Sequence, residues 1–379
     1  MKTSITAVAA IAMLGATPFT RAATPLGDHF SFSAFGTLGA VVTNSDEGQY
    51  IREFQAKGAT KSPSALVDSN LGLQITGKAN DWLSGTVQTL TAQRTEDRLS
   101  TRVEWAFVKV APVEGLALRA GRFSLPTFLI SDSRRVGYAN TTLRPADDVY
   151  GLDLLNGGLK GVDASYRLPI GGNSLTVTGS FGKSSYTNPR ESFAFLKMNK
   201  VSGLNMVWDG DWYTLRLGYV EAEPEFPAEF AAFLPPGTSL SDKYTFTGIG
   251  LSVDKNNVVL QGEYVQRRSK NFNQGVGADA WYMMGGYRMG PVLPYLQFSR
   301  RTPTSDAMDS VFPQSTKVVG LRWDAFASAA VKFQLERVDT KGTSGASFVT
   351  PVVDTPFGPI PAAVTKPVTT FSVAVDFVF

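Results

Sequence analysis

The amino-acid sequence predicts an all-β fold: a transmembrane antiparallel β-barrel of 16 strands, with a long loop after strand five folded into the lumen. Three observations support this prediction. Sixteen segments alternate apolar and other residues with a period of two, as strands with one apolar face do. Short and longer connections alternate between these segments. Beyond Gly15, no run of about 18 apolar residues is available for a transmembrane helix.

The sixteen segments follow one another along the whole chain. They are Phe30–Val42, Leu71–Lys78, Leu83–Gln88, Val103–Phe107, Leu116–Arg122, Val162–Leu168, Leu175–Phe181, Leu204–Trp208, Tyr213–Tyr219, Tyr244–Val253, Val258–Gln266, Trp281–Arg288, Val292–Ser299, Val318–Asp324, Val331–Arg337 and Phe371–Phe379. In the ninth, Leu215 and Leu217 alternate with Arg216 and Gly218, and a preceding Asp-Gly pair is typical of a hairpin. The even count is the one that a closed antiparallel barrel requires.

The connections differ in length according to their position. Those after even-numbered segments are tight: 79–82, 111–115, 169–173, 209–211, 254–257, 290–291 and 325–328. Those after odd-numbered segments include the long stretches 43–65, 183–199, 223–242 and 340–367. One rim of short turns and one of long loops is typical of outer-membrane barrels. A soluble, exported β-protein is the alternative, but soluble sandwiches lack this regular alternation. Trp82, Trp208, Trp212 and Trp323 lie beside short turns, where an interfacial aromatic belt is expected.

Residues 1–22 are predicted to be a cleaved signal peptide, which leaves one barrel domain at residues 23–379. Lys2 provides a basic start, residues 5–15 form an apolar core, and Ala22 is a small residue at the expected cleavage site. The core is too short for the alternative, an N-terminal membrane helix. Removing Lys2 and Arg21 leaves 34 basic residues against 33 acidic ones, so the balance of charge indicates no nucleic-acid partner.

The segment 123–150 has neither a strand nor a helix period. It carries three arginines and three aspartates, yet Phe128, Val149 and Tyr150 are side chains that favour burial. Connections of this length are uncommon and are usually functional. A loop that packs inside a water-filled barrel would satisfy both its apolar and its charged residues. We therefore expect this segment to narrow the channel without closing it.

The chain resembles the sixteen-stranded porins of Gram-negative bacterial outer membranes over essentially the whole mature length. The resemblance rests on the alternating connections, on the position of the long loop, and on the two phenylalanines Phe377 and Phe379 near the C-terminus. The stretch VEWAFVKVAPVEGLALRAGR (Val103–Arg122), followed by PTFLISDSRRVGYANTTLRPADDVYG, is similar to the proteobacterial subgroup. This resemblance implies an outer-membrane location, passive diffusion of small hydrophilic solutes and ions, and no cofactor.

The resemblance also implies two kinds of partner besides the surrounding outer-membrane lipid. One is a second and third copy of the chain, since small residues on strand one (Ala34, Gly36 and Ala40) could form a smooth homotrimer contact or simply face lipid. The other is the outer-membrane assembly machinery, for which Phe377 and Phe379 would be the recognition signal.

Porins of this type place basic wall residues opposite acidic loop residues, and rings of charge set ion selectivity. The candidate constriction residues are Arg119, Arg122, Asp132, Arg134, Arg135, Arg144, Asp147 and Asp148. The candidate pore-wall residues are Arg94, Arg98, Arg102, Arg167, Arg216, Glu263, Arg322 and Lys332. Alternatively, several of these residues form ion pairs that pin the loop to the wall, or lie on the outer rim.

Two other functions stay open: a substrate-specific channel for an oxyanion, a sugar or an organic acid, and a closed structural or adhesion barrel. Enzymatic chemistry has little support. The single histidine, His29, has no partner motif, and the adjacent Asp147 and Asp148 diverge rather than form an acid–base pair. The absence of cysteine and of clustered ligands argues against a metal site.

Overall fold

The strands close into a single ring. The computed structural model describes residues 24–153, 155–187, 195–226, 241–271, 276–304, 312–355 and 358–379. Sixteen antiparallel strands pair each with the next in sequence, and the first strand also pairs with the last, for example Gly36 opposite Phe377. The predicted 16-stranded all-β barrel is thus confirmed. The predicted signal peptide lies outside the described residues.

Each predicted segment coincides with one strand of the ring. The strands are β1 (Phe30–Thr43), β2 (Asn70–Lys78), β3 (Leu83–Gln93), β4 (Leu99–Val110), β5 (Leu116–Phe123), β6 (Leu159–Ile170), β7 (Asn173–Thr187), β8 (Phe195–Asp209), β9 (Tyr213–Glu225), β10 (Tyr244–Lys255), β11 (Val258–Ser269), β12 (Ala278–Tyr287), β13 (Val292–Pro303), β14 (Gln314–Phe326), β15 (Ala329–Asp339) and β16 (Val368–Val378). The observed strands mostly begin earlier or end later than predicted, because pairing continues beyond the stretches of clear alternation.

Short elements lie outside the ring. Thr24–Leu26 pairs with the start of β1, Gln49–Tyr50 pairs with Phe348–Val349, and Val352–Thr355 forms a hairpin with Gly358–Pro361. A 3₁₀ turn at Gly137–Ala139 and a helical turn at Asp147–Tyr150 follow β5. Within the described ranges, no helix is both long enough and apolar enough to cross a membrane.

The two faces of the sheet differ as the alternation predicts. The outer face is apolar and exposed; Leu38 is 66% exposed and Val319 is 58% exposed. The inner face is polar and largely buried, and its side chains bond across the strands. Gln88 Nε2 donates a hydrogen bond of 2.9 Å to Gln74 Oε1, for example. Charges turned to the outer face near the middle of a bilayer would cost about 2–4 kcal/mol each, so this register suits a membrane barrel.

The predicted alternation of connections is also confirmed. Connections after even-numbered strands span 79–82, 111–115, 171–172, 210–212, 256–257, 288–291 and 327–328, whereas the opposite rim carries 44–69, 124–158, 226–243 and 340–367. The shortest connection of that rim, 94–98, is no longer than 111–115. Gly171 and Gly172 have φ values of 54° and 87°, the left-handed conformation that a two-residue hairpin requires.

A glycine beside the closure of the ring makes room for an aromatic side chain. Phe35 of β1 lies opposite Gly72 of β2, and both face inward. A Cβ atom at residue 72 would lie 2.1 Å from the Phe35 ring. By contrast, a Cβ atom at Gly179 on the outer face of β7 would meet nothing within 4 Å.

Gly72→Ala is therefore expected to destabilise the barrel by about 1–3 kcal/mol, because the Phe35 ring must leave its position. The free energy of unfolding of the refolded protein in detergent, followed by tryptophan fluorescence in guanidinium chloride, measures this cost. Gly179→Ala is the matched control and should change the stability little. Equal stabilities of the two variants would contradict the packing assigned to Phe35.

Candidate constriction site

The long connection after β5, residues 124–158, packs through its apolar side chains against the inner face of β9–β12. Phe128 contacts Tyr150 of the same connection and Phe246 of β10, with ring centroids 4.7 and 4.9 Å apart. These rings belong to a buried cluster that also contains Val265 and Tyr282. The apolar residues that the sequence predicts to be buried are thus the ones that hold the connection in place.

A second contact forms around Glu263 of β11. The backbone N–H of Leu129 donates to Oε1 of Glu263 at 2.9 Å, and the Tyr150 hydroxyl donates to Oε2 at 3.0 Å. Arg216 of β9 donates to the carbonyl of Pro126 and lies 3.8 Å from the Glu263 carboxylate. Two predicted pore-wall residues, Arg216 and Glu263, thereby hold the connection.

A third contact involves β13 and the helical turn Asp147–Tyr150. Ser299 Oγ donates a 2.5 Å hydrogen bond to Asp148 Oδ2. Arg301 donates from Nε to the carbonyl of Asp148 at 2.9 Å and from Nη2 to the carbonyl of Asp147 at 2.8 Å. A cation near carbonyls at the end of this turn is electrostatically favourable.

The 3₁₀ turn and the residues after it are held by cations of β14 and β15. Lys332 Nζ donates to the carbonyls of Gly137, Asn140 and Thr142 at 2.6–3.0 Å and lies 2.9 Å from the Asp376 carboxylate. Arg322, which lies opposite Lys332 in the strand register, donates to the carbonyls of Tyr138 and Asn140, both at 2.8 Å. Two like charges can be neighbours here because carbonyl and carboxylate oxygens surround them.

Arg144 is the most completely buried of the predicted arginines on this connection. It is 2% exposed and makes a bidentate ion pair with Asp68, at 2.9 and 2.6 Å. Nη1 lies 2.8 Å from the Glu336 carboxylate, and the Tyr50 and Ser372 hydroxyls complete its surroundings. Burial disfavours the charged guanidinium, but the two carboxylates raise the pKa of Arg144 above its ordinary value. Arg144 is therefore an anchor of the connection.

The arginines Arg134 and Arg135 form ion pairs at the edge of the same connection. Arg134 lies 2.8 Å from Asp153, and Arg135 lies 2.5 Å from Glu53 in the connection after β1. Burial opposes ionisation of Glu53, but Arg135, Arg134 and Arg52 hold its pKa down at about 2. A carboxylate of one long connection is thus bound to the arginines of another.

Asp147 has the opposite electrostatic surroundings. Burial, together with the negative charge of Glu53, raises the pKa of Asp147 to about 7, although Arg52 and Arg144 act against the rise. Its carboxylate accepts long hydrogen bonds, of 3.4 Å each, from the Glu53 backbone N–H and the Ser347 hydroxyl. The protonation state of Asp147 therefore changes near neutral pH.

The remaining predicted residues lie on β4–β6 and in the connections 94–98 and 124–158. Arg119 makes a bidentate ion pair with Asp163 of β6, with a shortest distance of 2.5 Å, and its guanidinium lies 4.4 Å from the centre of the Phe123 ring. Arg94 pairs with Glu104, and the exposed Arg98 pairs with Glu96 at 2.7 Å.

The last four predicted residues fall into two groups by exposure. Arg102 and Arg167 are exposed, whereas Arg122 and Asp132 are half-buried. Burial raises the pKa of Asp132, against the influence of Arg119 and Arg216. The structure thus brings Asp132 close to cations of both β5 and β9.

Sequence reasoning did not single out the partners of these residues. Asp68, Glu336, Asp376 and Glu53 neutralise Arg144, Lys332 and Arg135. For Glu336 and Asp376, the available signal is a charged side chain on the inward-facing alternation of a predicted strand. Asp68 and Glu53 lie in a long connection without periodicity, so no local pattern identifies them.

Comparison with solved structures defines the class of fold. No protein-family model and no curated protein matches the sequence. OmpT from the outer membrane of Vibrio cholerae is similar at 12% identity and a TM-score of 0.56, over 94% of this chain and 99% of that one. The anion-selective porin from Comamonas acidovorans has 14% identity and a TM-score of 0.56, over 92% and 99%.

OmpF of Salmonella typhi, solved with daunomycin, is similar at 12% identity and a TM-score of 0.59, over 92% of this chain and 97% of that one. These similarities show the class of fold, which is a closed antiparallel β-barrel like those of these bacterial outer-membrane proteins. Within that class, the chain has the fold of the Gram-negative porins.

Arg144→Met is expected to lower the free energy of unfolding by about 3–5 kcal/mol, because it leaves the buried Asp68 and Glu336 carboxylates without their cation. Chemical denaturation in detergent measures the loss. Arg98→Met, which removes an exposed pair, is the control and should have little effect. If both variants were as stable as the wild type, Arg144 would not be the anchor described above.

Asp147→Asn is expected to weaken the pH dependence of stability between pH 5 and pH 8. A carboxyl group whose pKa is raised to about 7 in the folded state stabilises the protein at low pH, and this contribution is lost as the pH rises through 7. The wild type should therefore lose more stability than the neutral variant over this range. Denaturation midpoints of the wild type and the variant at pH 5 and pH 8 provide the measurement. An equal loss of stability in both proteins between these pH values would refute the burial assigned to Asp147.

Proposed function

We propose that this protein is an outer-membrane porin, which forms a water-filled channel for passive diffusion of small hydrophilic solutes and ions. One observation carries the proposal. Residues 124–158 leave the ring at β5 and return at β6, yet they bond to inner-face side chains from β9 to β16, which is half of the ring. This set of partners supports a path of the connection across the space that the strands enclose.

A barrel of sixteen strands is too wide to be filled by its own side chains and leaves an aqueous channel unless it is plugged. The connection 124–158 is hydrogen-bonded to the β9–β16 half of the wall, and its Val136 also packs against Phe35 of β1 and Leu90 of β3. The solute path in this proposal runs between the connection and the inner face of β2–β7. Arg119, Asp132, Arg134, Arg135 and Asp147 border the constriction, whereas Arg144 and Asp148 hold the connection in place.

The inner face of β2–β6 is rich in cations. Lys78, Lys109, Arg119 and Arg167 lie on its inward alternation, and the neighbouring Asp163 carboxylate is neutralised by Arg119. We infer that the channel prefers small anions, since charge at a constriction sets selectivity. The structural similarity to a porin described as anion-selective agrees with this inference.

The surroundings of the barrel follow from the same proposal. The exposed apolar outer face contacts outer-membrane lipid, and residues 1–22 direct export and are then removed. A structure of Vibrio cholerae OmpT in its trimer form supports a homotrimer here. Phe377 packs over Gly36, and Phe379 exchanges backbone hydrogen bonds with Ala34. This end of the chain, which closes the ring, is the proposed signal for the assembly machinery.

Single-channel recording in a planar bilayer tests the channel function. The purified protein should produce large current steps that increase with salt concentration without saturating. A correctly folded preparation that remains silent would leave a closed structural barrel as the function. Saturation by one sugar, oxyanion or organic acid would instead identify a substrate-specific channel.

The reversal potential in a salt gradient tests the anion preference. The double variant Lys78→Glu/Lys109→Glu should shift this potential towards cation selectivity, because it changes the charge of the proposed solute path by four units. Lys255→Glu, at a short turn where its ammonium lies 4.3 Å from the Trp212 ring, is the control and should not shift it. Equal potentials for both variants would exclude a solute path along β2 and β4.

A further inference from the structure

Three cations lie side by side on the outer face of β13, β14 and β15. Lys317 and Arg337 are direct cross-strand partners, and Arg300 lies on the adjoining strand, two residues beyond the partner of Lys317. All three are exposed. We call these residues the outer cationic patch. They lie near the ends of their strands at the rim that carries the long connections.

The patch borders the apolar belt of the barrel. Phe298, Val319 and Leu335 occupy the next outward positions towards the middle of the strands and are 48%, 58% and 48% exposed. A molecule that covers the patch and the belt together must therefore carry an anionic group directly above apolar chains.

Among the described residues, no carboxylate forms an ion pair with the patch. The nearby Asp339, two residues from Arg337, already pairs with Lys341 at 2.5 Å. The nearest polar contact of Arg337 is a 3.4 Å hydrogen bond to Thr369. Directly opposed like charges destabilise a sheet, so the isolated protein gains nothing from the pair Lys317 and Arg337.

A neighbouring part of the same rim is built differently. In the sector of β8–β12, each cation has one carboxylate partner at 2.7–3.1 Å: Lys197 pairs with Glu225, Lys200 with Glu223, Lys243 with Glu221, and Arg268 with Asp279. Outward cations at this level are thus neutralised within the protein in that sector. On β13–β15, the outward cations Arg300, Lys317 and Arg337 have no such ion pair with a described residue. They are therefore available to an external anion.

We propose that the outer cationic patch binds the phosphate groups of an anionic lipid headgroup, with the acyl chains of that lipid against Phe298, Val319 and Leu335. Charge complementarity and continuity with the apolar belt both favour a lipid over a soluble anion. Lysines and arginines near a charged membrane surface each strengthen such binding. The inference depends on the membrane orientation in the proposed function but not on conduction. The exposed pair Lys160 and Lys183, opposite each other on β6 and β7, has a similar arrangement.

Trp281 provides a local reporter for the test. It lies opposite Arg300 on β12 and is 36% exposed on the outer face. The mature chain is reconstituted in phosphatidylcholine bilayers that contain a small fraction of brominated phosphatidic acid or of brominated phosphatidylcholine. Bromine quenches tryptophan fluorescence on contact, and the difference between the wild type and Trp281→Phe isolates the signal from this site.

The wild type should favour the brominated phosphatidic acid at Trp281 by roughly tenfold or more over the brominated phosphatidylcholine. Lys317→Gln/Arg337→Gln should abolish most of that preference. Lys197→Gln/Lys243→Gln, from the neutralised sector, is the matched control and should retain it. Equal quenching by the two lipids in the wild type, or an unchanged preference in the Lys317/Arg337 variant, would overturn the proposal.

Inorganic phosphate distinguishes a lipid site from a site for the free ion. At an ionic strength matched with chloride, inorganic phosphate should leave the preference unchanged; displacement of the lipid would assign the patch to soluble phosphate and overturn the proposal. Single-channel recording of the same preparations separates this result from the channel function. Conduction with no lipid preference would refute the patch alone, whereas silence with a lipid preference would refute the channel alone.

Discussion

The closure of β1 onto both β2 and β16 is the constraint on which the rest of the structure depends. In a closed ring every strand has a neighbour on each side, so no row of backbone N–H and C=O groups is left at an edge. In a membrane such groups would have no water to bond with. Closure also produces an inner and an outer face, and the period of two then determines which side chain lies on which face.

The second problem is how to hold the charged connection 124–158 against the inner face of the ring. Burying an unpaired charge is costly, and a buried pair is tolerated only when its hydrogen bonds are complete. Arg144 meets this condition through Asp68 and Glu336, and Lys332 meets it through three carbonyls and Asp376. Charge on these residues therefore serves to hold the connection against the wall of the ring.

Several sequence predictions depended only on local patterns, and these were confirmed. The alternation of Leu215 and Leu217 with Arg216 placed β9 and its faces correctly, and the short turns marked one rim. The site was less accessible to such reasoning. Arg144 and Arg119 were both predicted to lie at the constriction. In the structure, Arg144 is enclosed by Asp68 of the connection after β1 and Glu336 of β15. Arg119 instead pairs with Asp163 on the next strand. The alternative of pinning ion pairs was raised from the sequence, but it could not be assigned to residues.

The sequence by itself determined the number of strands, their order and the side of the sheet that each residue faces. These properties depend on neighbours one or two positions apart, which the period of a strand records directly. Only the tertiary structure decided which charges meet, because Arg144 and Glu336 are 192 positions apart and come together through the closure of the ring. The same holds on the outer face of the barrel. Strand register makes the two cations Lys317 and Arg337 neighbours there, whereas Lys243 lies beside the carboxylate of Glu221. Pairing of this kind depends on geometry in three dimensions, and no local pattern in the chain encodes it.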